Sequence, residues 1–401
     1  MVPTGGLWDT RTCPRELSPR NELLRHRGPT PESASEEDTL HLVDYLALRS
    51  IPAAGISLAL TRRCPLSCAH CATNSTFSSE EAPADMFLRF VDSFTIEDHP
   101  EALAISGGEA FLRPALLRDL AERAALVGCR TLALSGMFWA KTKRIPPPIK
   151  RAIDALDHFS CSLDVFHERE VRREDVYRVL ETLLSEGKDV SIHVVGLDAG
   201  DPYLAERTAE IRDVFDDRVP MLVNGVNAYG RAAEWMEVPD EIETGPVQPN
   251  PCALAAWPLV AFDGTVVACG NDDVVDGPAP DHLRLGHANV DGWPEVRART
   301  LASNLLRAIR TFGPEHLVER HGSGVIRCDG YCSTCRQIPA DPALAERVET
   351  MMQTPNGMLM EEHVHAMERH AGAIGFIRRF GLPEYADLVT LGAATPLEAA
   401  S

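Results

Sequence analysis

Short apolar runs of strand length alternate with longer segments of helical period through the first 230 residues of the chain. The runs are ISLAL (56–60), ALAIS (102–106), RTLALS (130–135), FSCSLDV (159–165), DVSIHVV (189–195) and VPMLVNGV (219–226). Runs of this length bounded by turn residues read as strands. Between them lie ADMFLRFVDSF, RPALLRDLAERAALVG, IKRAIDALD, EDVYRVLETLLSEG and YLAERTAEIRDVF, with apolar residues at helical spacing. Two of these close on a glycine, as a C-cap requires. Repeated strand–helix units predict a parallel sheet with right-handed crossovers. Six units suit a partial (β/α)6 barrel better than a closed barrel of eight. Ahead of them, residues 1–50 carry the polar stretch RHRGPTPESASEEDT and one short amphipathic segment, LHLVDYLAL. After about residue 250 the pattern changes to short strands, Gly-rich turns and cysteines, and 341–382 reads as helical. The expected organisation is a polar, partly disordered segment at 1–50, a barrel at 51–240, a small cysteine-rich unit at 241–340 and a helical tail at 341–401.

Composition adds exclusions. The 401 residues are 44% hydrophobic and 24% charged, an ordinary globular balance. Acidic residues outnumber basic ones by 59 to 39, for a formal charge of −20. A general grip on nucleic-acid phosphates is therefore excluded, because that affinity is mostly cationic, and an acidic lipid surface is disfavoured likewise. No apolar run reaches the ~18 residues that span a bilayer, and the N-terminus lacks the apolar core of a secretory signal. A cytoplasmic protein is expected. In a reducing compartment, eleven cysteines at clustered spacing read as metal or cluster ligands rather than as a disulfide framework.

The densest cluster is TRRCPLSCAHC (61–71), which places Cys64, Cys68 and Cys71 directly after the first strand. The second strand ends on SGGE, Ser106 to Glu109. Both loops leave the carboxyl ends of parallel strands, where such barrels place their chemistry. Three thiolates around a four-iron cube leave one iron free for a chelating ligand. The alternative is a zinc site made of the three cysteines with His70. Adjacent ligands at 70 and 71 would strain a tetrahedral site, and zinc does not account for SGGE.

With Cys64-x3-Cys68-x2-Cys71 after one strand and Gly107-Gly108-Glu109 after the next, residues 55–230 resemble a radical S-adenosylmethionine enzyme. The resemblance implies a [4Fe-4S] cluster whose open iron chelates S-adenosylmethionine and cleaves it to a 5′-deoxyadenosyl radical, which removes a substrate hydrogen. It also implies a reductant such as flavodoxin or ferredoxin. Gly107, Gly108 and Glu109 would hold the amino group of S-adenosylmethionine, the glycines by close backbone approach and the carboxylate as a charge-assisted acceptor. His70 occupies the position before the third cysteine that an aromatic near the adenine usually holds.

Further along, CALAAWPLVAFDGTVVACG places Cys252 and Cys269 at the two ends of a β-hairpin turning at Asp263-Gly264, and CDGYCSTC adds Cys328, Cys332 and Cys335. The region resembles the SPASM or twitch extensions of that superfamily. A shortened, twitch-like unit implies one auxiliary [4Fe-4S] cluster, held by Cys252, Cys269, Cys332 and Cys335. Cys328 is then surplus or replaces one of the four. Structural zinc is the alternative, since four thiolates also satisfy it. Cys13 lies in the polar lead-in, and Cys129 and Cys161 read as small buried hydrophobes.

On the substrate side, Asp164 of SLDVFHERE resembles a Ser-Leu-Asp segment common in this group and is expected to meet the cofactor ribose or the substrate, with a catalytic role. His167 and Glu168 beside it equally suit helix capping or solvent. Gly230-Arg231-Ala232 is similar to a segment frequent in SPASM-type enzymes, and Arg231 would pair with a carboxylate of S-adenosylmethionine or substrate, or form an internal ion pair. His363, His365 and His370 sit on a polar helical segment and read as solvated. The resemblance implies modification of a ribosomally made peptide by crosslinking or oxidation, with a small-molecule dehydrogenase as the alternative and a non-catalytic zinc-binding protein as a remote one. The fifty residues ahead of the barrel are too few and too polar for a leader-binding module, so leader recognition would need a separate protein.

Overall fold

The computed structural model describes residues 40–236, 247–328 and 330–393. The polar lead-in with Cys13 lies outside them. The six expected strands form as β1 (Gly55–Ala59), β2 (Ala102–Ser106), β3 (Arg130–Ser135), β4 (His158–Ser162), β5 (Asp189–Gly196) and β6 (Met221–Gly225). Helices α1 (Leu42–Leu48), α2 (Ala84–Val91), α3 (Pro114–Ala125), α4 (Pro147–Ala155), α5 (Arg173–Ser185) and α6 (Pro202–Phe215) precede or connect them. Each strand pairs in parallel with the next, and the sheet does not close on itself. Each of α2 to α6 turns a buried stripe to the sheet, for example Val176, Val179, Leu180 and Leu183 of α5. Gly128 and Gly187 end their helices at φ 90° and 79°, which a side chain would strain.

β4 is shorter than its apolar run. Asp164 Oδ1 accepts the N–H groups of Phe166 and His167, both at 2.9 Å, and this local bonding turns the chain out of the strand. At the front of the sheet, β1 and β2 run in register from Gly55 with Ala102 to Ala59 with Ser106. The loops after these two strands therefore leave the sheet side by side.

The region after residue 250, expected as a small cysteine-rich unit, extends the sheet. Strand β7 (Leu259–Val260) pairs in parallel with β1, and β8 (Thr265–Val267) and β9 (Arg284–His287) continue as antiparallel strands, giving nine strands in the order β6-β5-β4-β3-β2-β1-β7-β8-β9. The outer edge of β1 would otherwise present unpaired backbone groups, and the apolar hairpin covers it with Val260, Val266 and Val267 joined to the main core. Trp257 lies so close over β1 that a Cβ on Gly55 would fall 2.2 Å from its ring. Helices α7 (Asp272–Val275), α8 (Trp293–Ala302), α9 (Asn304–Phe312), α10 (Pro314–His321), α11 (Tyr331–Gln337) and α12 (Pro342–Met352) follow. A smaller cluster around Ile309, Leu317, Leu344 and Val348 holds α9, α10 and α12 together.

The tail is helical as α13 (Pro355–Phe380), interrupted at Gly372 (φ 58°, ψ −155°). It then returns to the barrel. Leu382 N donates to Val223 O of β6 at 3.4 Å, and Ala386 and Val389 pack on Leu42 and Leu46 of α1. The amphipathic segment before Ile51 is thus anchored by the other end of the chain. Among the described residues no helix is long and apolar enough to cross a membrane.

Candidate active site and auxiliary cysteine site

Cys64, Cys68 and Cys71 line one cavity of about 550 Å³ together with Gly107, Gly108 and Glu109. The floor is the carboxyl ends of the strands: Ser162 of β4, His193 and Val195 of β5, and Asn224 and Gly225 of β6. Two glycines fix the pairing of the loops. A Cβ on Gly107 would sit 2.5 Å from Thr61 O, and one on Gly108 2.4 Å from Arg63 O. Their absence lets Gly108 N donate to Thr61 O (2.7 Å) and Glu109 N to Arg63 O (2.9 Å). SGGE is thereby held against the residues that lead into Cys64.

The cysteine loop is clamped from β6. A Cβ on Gly230 would lie 2.2 Å from Ala72 O, so only glycine lets the chain come this close. Arg231 then donates from N to Cys71 O (3.0 Å), from Nε to Cys68 O (2.8 Å) and from Nη1 to Ser75 O (2.7 Å). Arg231 lines the cavity, but the bonds from its guanidinium go to backbone carbonyls and not to a carboxylate. Trp235 adds a fourth clamp, Nε1 to Ala69 O at 2.9 Å.

Glu109 is 1% exposed. Its carboxylate accepts from Phe111 N (3.0 Å), from Ser135 Oγ (3.1 Å to each oxygen) and from Gly136 N (2.9 Å). Burial pushes this carboxyl up to about 7, against the pull of those hydrogen bonds.

Asp164 is fully buried and is not part of the cavity wall. Its Oδ2 accepts from His167 Nδ1 at 2.7 Å and lies 3.6 Å from His70 Nε2. Burial raises the Asp164 carboxyl, but the charge and hydrogen bonds of His167 outweigh it and the net shift is downward. It is His167 that reaches the cavity. Burial disfavours the charged His167 ring, but Asp164 and Cys68 prevail and raise it to about 10. His70 stacks on Phe166, centroids 4.5 Å apart and planes at 28°, and burial lowers its basicity. Glu168 serves the fold, accepting from Tyr203 OH at 2.7 Å and pairing with Arg173 and Arg207.

Sequence reasoning missed His193, Asn224 and the tail residues Phe380 to Leu382, all of which line the cavity. His193 Nε2 accepts from Asn224 Nδ2 at 2.7 Å, and burial holds the ring near 4, hence neutral. A polar residue near the carboxyl end of a buried strand is the signal that marks these two. Nothing local marks Phe380 to Leu382.

A second cavity of about 560 Å³ is lined by Cys252, Cys269, Cys332 and Cys335. Cys328 is not on its wall; its thiol points toward Glu315 O at 4.0 Å. Burial pushes the Cys269 thiol up to about 12 and raises Cys252, Cys332 and Cys335 as well, with neighbouring thiolates adding to it at Cys252, Cys269 and Cys335. The two cavities share a wall made of Asn227, Tyr229, Asp272 and Phe380. Cys129 and Cys161 are buried within the main core. His363 and His370 are exposed, whereas His365 is half-buried with Nε2 unpartnered.

Zinc would draw its sulfur ligands to ~3.8 Å from one another, given Zn–S of about 2.3 Å in a tetrahedron. Among the described residues, the trio of His, Cys, Asp or Glu ligand atoms lying within 4.8 Å of one another is His70, Asp164 and His167. Neither cysteine set is gathered that tightly.

The open parallel sheet carries three cysteines and a glycine-rich acidic loop at one mouth. Residues 58–210 match the family model of the Radical SAM superfamily. No curated protein matches the chain. Among solved structures it is similar to Streptococcus suis SuiB bound to precursor peptide SuiA, at 13% identity and TM-score 0.46, covering 66% of this chain and 68% of that one. It is similar to anSMEcpe with bound AdoMet and the Cp18Cys peptide, at 11% identity and TM-score 0.45, covering 74% and 99%. It is also similar to BtrN in complex with AdoMet and 2-DOIA, at 10% identity and TM-score 0.41, covering 64% and 87%. The chain spans 60% of the SuiB structure bound to S-adenosylmethionine.

Proposed function

We propose that this chain is a radical S-adenosylmethionine enzyme with one auxiliary four-iron centre. The observation that carries the reading is the meeting of Cys64, Cys68, Cys71 and the SGGE loop on one cavity within the matched segment. When bound, the first cluster supplies the electron that cleaves S-adenosylmethionine to a 5′-deoxyadenosyl radical. The protein's share is positioning and exclusion of water. Glu109 presents a buried acceptor to the ligand's amino group, Gly107 and Gly108 bring the loop beside Cys64, and Arg231 holds the cysteine loop in shape. His70, packed on Phe166, offers a flat ring to the adenine. His167, oriented by Asp164, offers a donor at the cavity wall, so Asp164 acts as a positioning residue.

Cys252, Cys269, Cys332 and Cys335 are the proposed ligands of the auxiliary centre, with Cys328 outside the set. Because the two cavities share a wall, a substrate on the barrel side would lie beside that centre. Modification of a ribosomally made peptide is the favoured reaction class, with oxidation of a small molecule as the second. A flavodoxin or ferredoxin would supply electrons.

Anaerobic reconstitution tests the assignment. The parent should hold about eight irons as two four-iron clusters, and a C64A/C68A/C71A variant about four. That variant should release no 5′-deoxyadenosine from S-adenosylmethionine with dithionite. Release at the parent rate would remove the three cysteines from the reaction.

A further inference from the structure

Arg49 on the wall of the second cavity and Arg310, next to the wall residue Ile309 but not itself on the wall, make no ion pair among the described residues. Arg49, at the C-terminal end of α1, lines the cavity. Its guanidinium lies over the Trp257 ring, 4.6 Å from the centroid, and its Nη1 is buried without a hydrogen-bond partner. Arg310, on α9, is 4% exposed. Its Nη1 and Nη2 meet only the carbonyl oxygens of Ala255 (3.4 Å) and Thr300 (3.1 Å), and its Nε has no partner. The same helix holds a cluster ligand, since Cys252 N donates to Ile309 O at 3.1 Å. Glu361 acts on Arg310 only through space, its carboxylate being taken by Arg307 Nε at 2.9 and 3.1 Å. The other arginines on the cavity wall are neutralised locally, Arg336 by Asp273 and Arg379 by Glu368.

Guanidinium groups remain charged, and burying one without a counter-ion is strongly unfavourable. Four thiolates around an iron–sulfur cube create the opposite problem, a buried net negative charge. We propose that Arg49 and Arg310 are the counter-charge of an anionic centre held by Cys252, Cys269, Cys332 and Cys335, and that they set its reduction potential. The inference rests on the reading of those cysteines as ligands of an auxiliary cluster. One-electron reduction makes the centre more negative, so two nearby cations favour the reduced form and raise the potential.

The test is a mediated redox titration of the full chain, reconstituted anaerobically in the C64A/C68A/C71A background so that only the second centre contributes, followed by electron paramagnetic resonance. Replacing Arg49 by Gln should lower the reduced-to-oxidised ratio at a fixed poise by about tenfold, 59 mV for a one-electron couple. R49K keeps the charge and should stay within about twofold of the parent. A D273N/R336Q variant removes a neutral pair from the same wall and should do likewise. R310Q should shift the ratio in the same direction as R49Q; should it fail to fold, R49Q at the cavity wall decides alone. An unmoved ratio in R49Q with iron retained, or equal shifts in R49Q and R49K, would overturn the role of the arginines. Zinc, or no iron, in the reconstituted background protein would instead overturn the cluster reading, and the metal content separates the two failures.

Discussion

Glu109 joins two segments through one carboxylate: its own loop through Phe111, and the end of β3 through Ser135 and Gly136. Glutamine has the same shape but only one acceptor oxygen, and its amide would turn a donor toward the N–H of Gly136 or Phe111. E109Q should therefore lower stability by about 1–3 kcal/mol in denaturant titrations, the cost of a buried donor left without an acceptor. S-adenosylmethionine affinity should fall about tenfold to a hundredfold by calorimetry at pH 8, the loss expected for a charge-assisted bond. Because burial raises the carboxyl to about 7, the parent carries the negative charge only above that pH. Affinity for a ligand ammonium should strengthen as pH rises through 7 and level off above it. E109Q should lack this dependence, and a parent-like profile in the variant would remove the carboxylate from ligand binding.

Loops rather than strands carry the chemistry, and backbone approach shapes them. Gly230 has φ 53°, and any side chain there would collide with Ala72 O and Cys71 O, at 2.2 and 2.4 Å from its Cβ. G230A should push the cysteine loop off its clamp, with Arg231 losing its hold on Cys68 O and Ser75 O. The expected outcome is loss of about four of about eight irons with the auxiliary centre retained, since the second cavity is lined by other loops. Full iron content and unchanged 5′-deoxyadenosine release in G230A would mean that the clamp does not shape the site. The hairpin presents the opposite case: its turn at Asp263-Gly264 is local, but its place beside β1 is set by the unpaired edge of a sheet built from distant residues.

At the scale of the whole molecule, the first described residues are tied to the sheet interior. His158 of β4 is fully buried, its Nδ1 2.7 Å from Leu40 O and its Nε2 2.7 Å from Ser191 Oγ. Burial lowers it to about 4, against 6.5 in an unfolded chain. Between those values the unfolded state binds the extra proton, so stability rises with pH across that window and is lost as pH falls through it. Over the full window the contribution is about 3 kcal/mol. Thermal unfolding should therefore show the parent losing more stability than H158Q between pH 7 and pH 5. Equal losses would indicate that His158 protonation does not couple to folding.

The chain by itself determined the six parallel strands, their connecting helices and the two cysteine sets, because each depends on short-range period and spacing. β2 and β3 coincide with their apolar runs, and Cys252, Cys269, Cys332 and Cys335, the set the resemblance implied, line one cavity. Only the tertiary structure decided that the hairpin extends the barrel sheet, that Asp164 is buried behind His167, and that Arg231 grips carbonyls. It alone brought Phe380 to Leu382 to the mouth of β6, and Arg49 to the second cavity. The hairpin, Arg231, the tail and Arg49 share one physical reason. A strand or a ligand spacing is fixed by neighbours in sequence, whereas the direction a side chain faces depends on edges, cavities and charges supplied by segments hundreds of residues away.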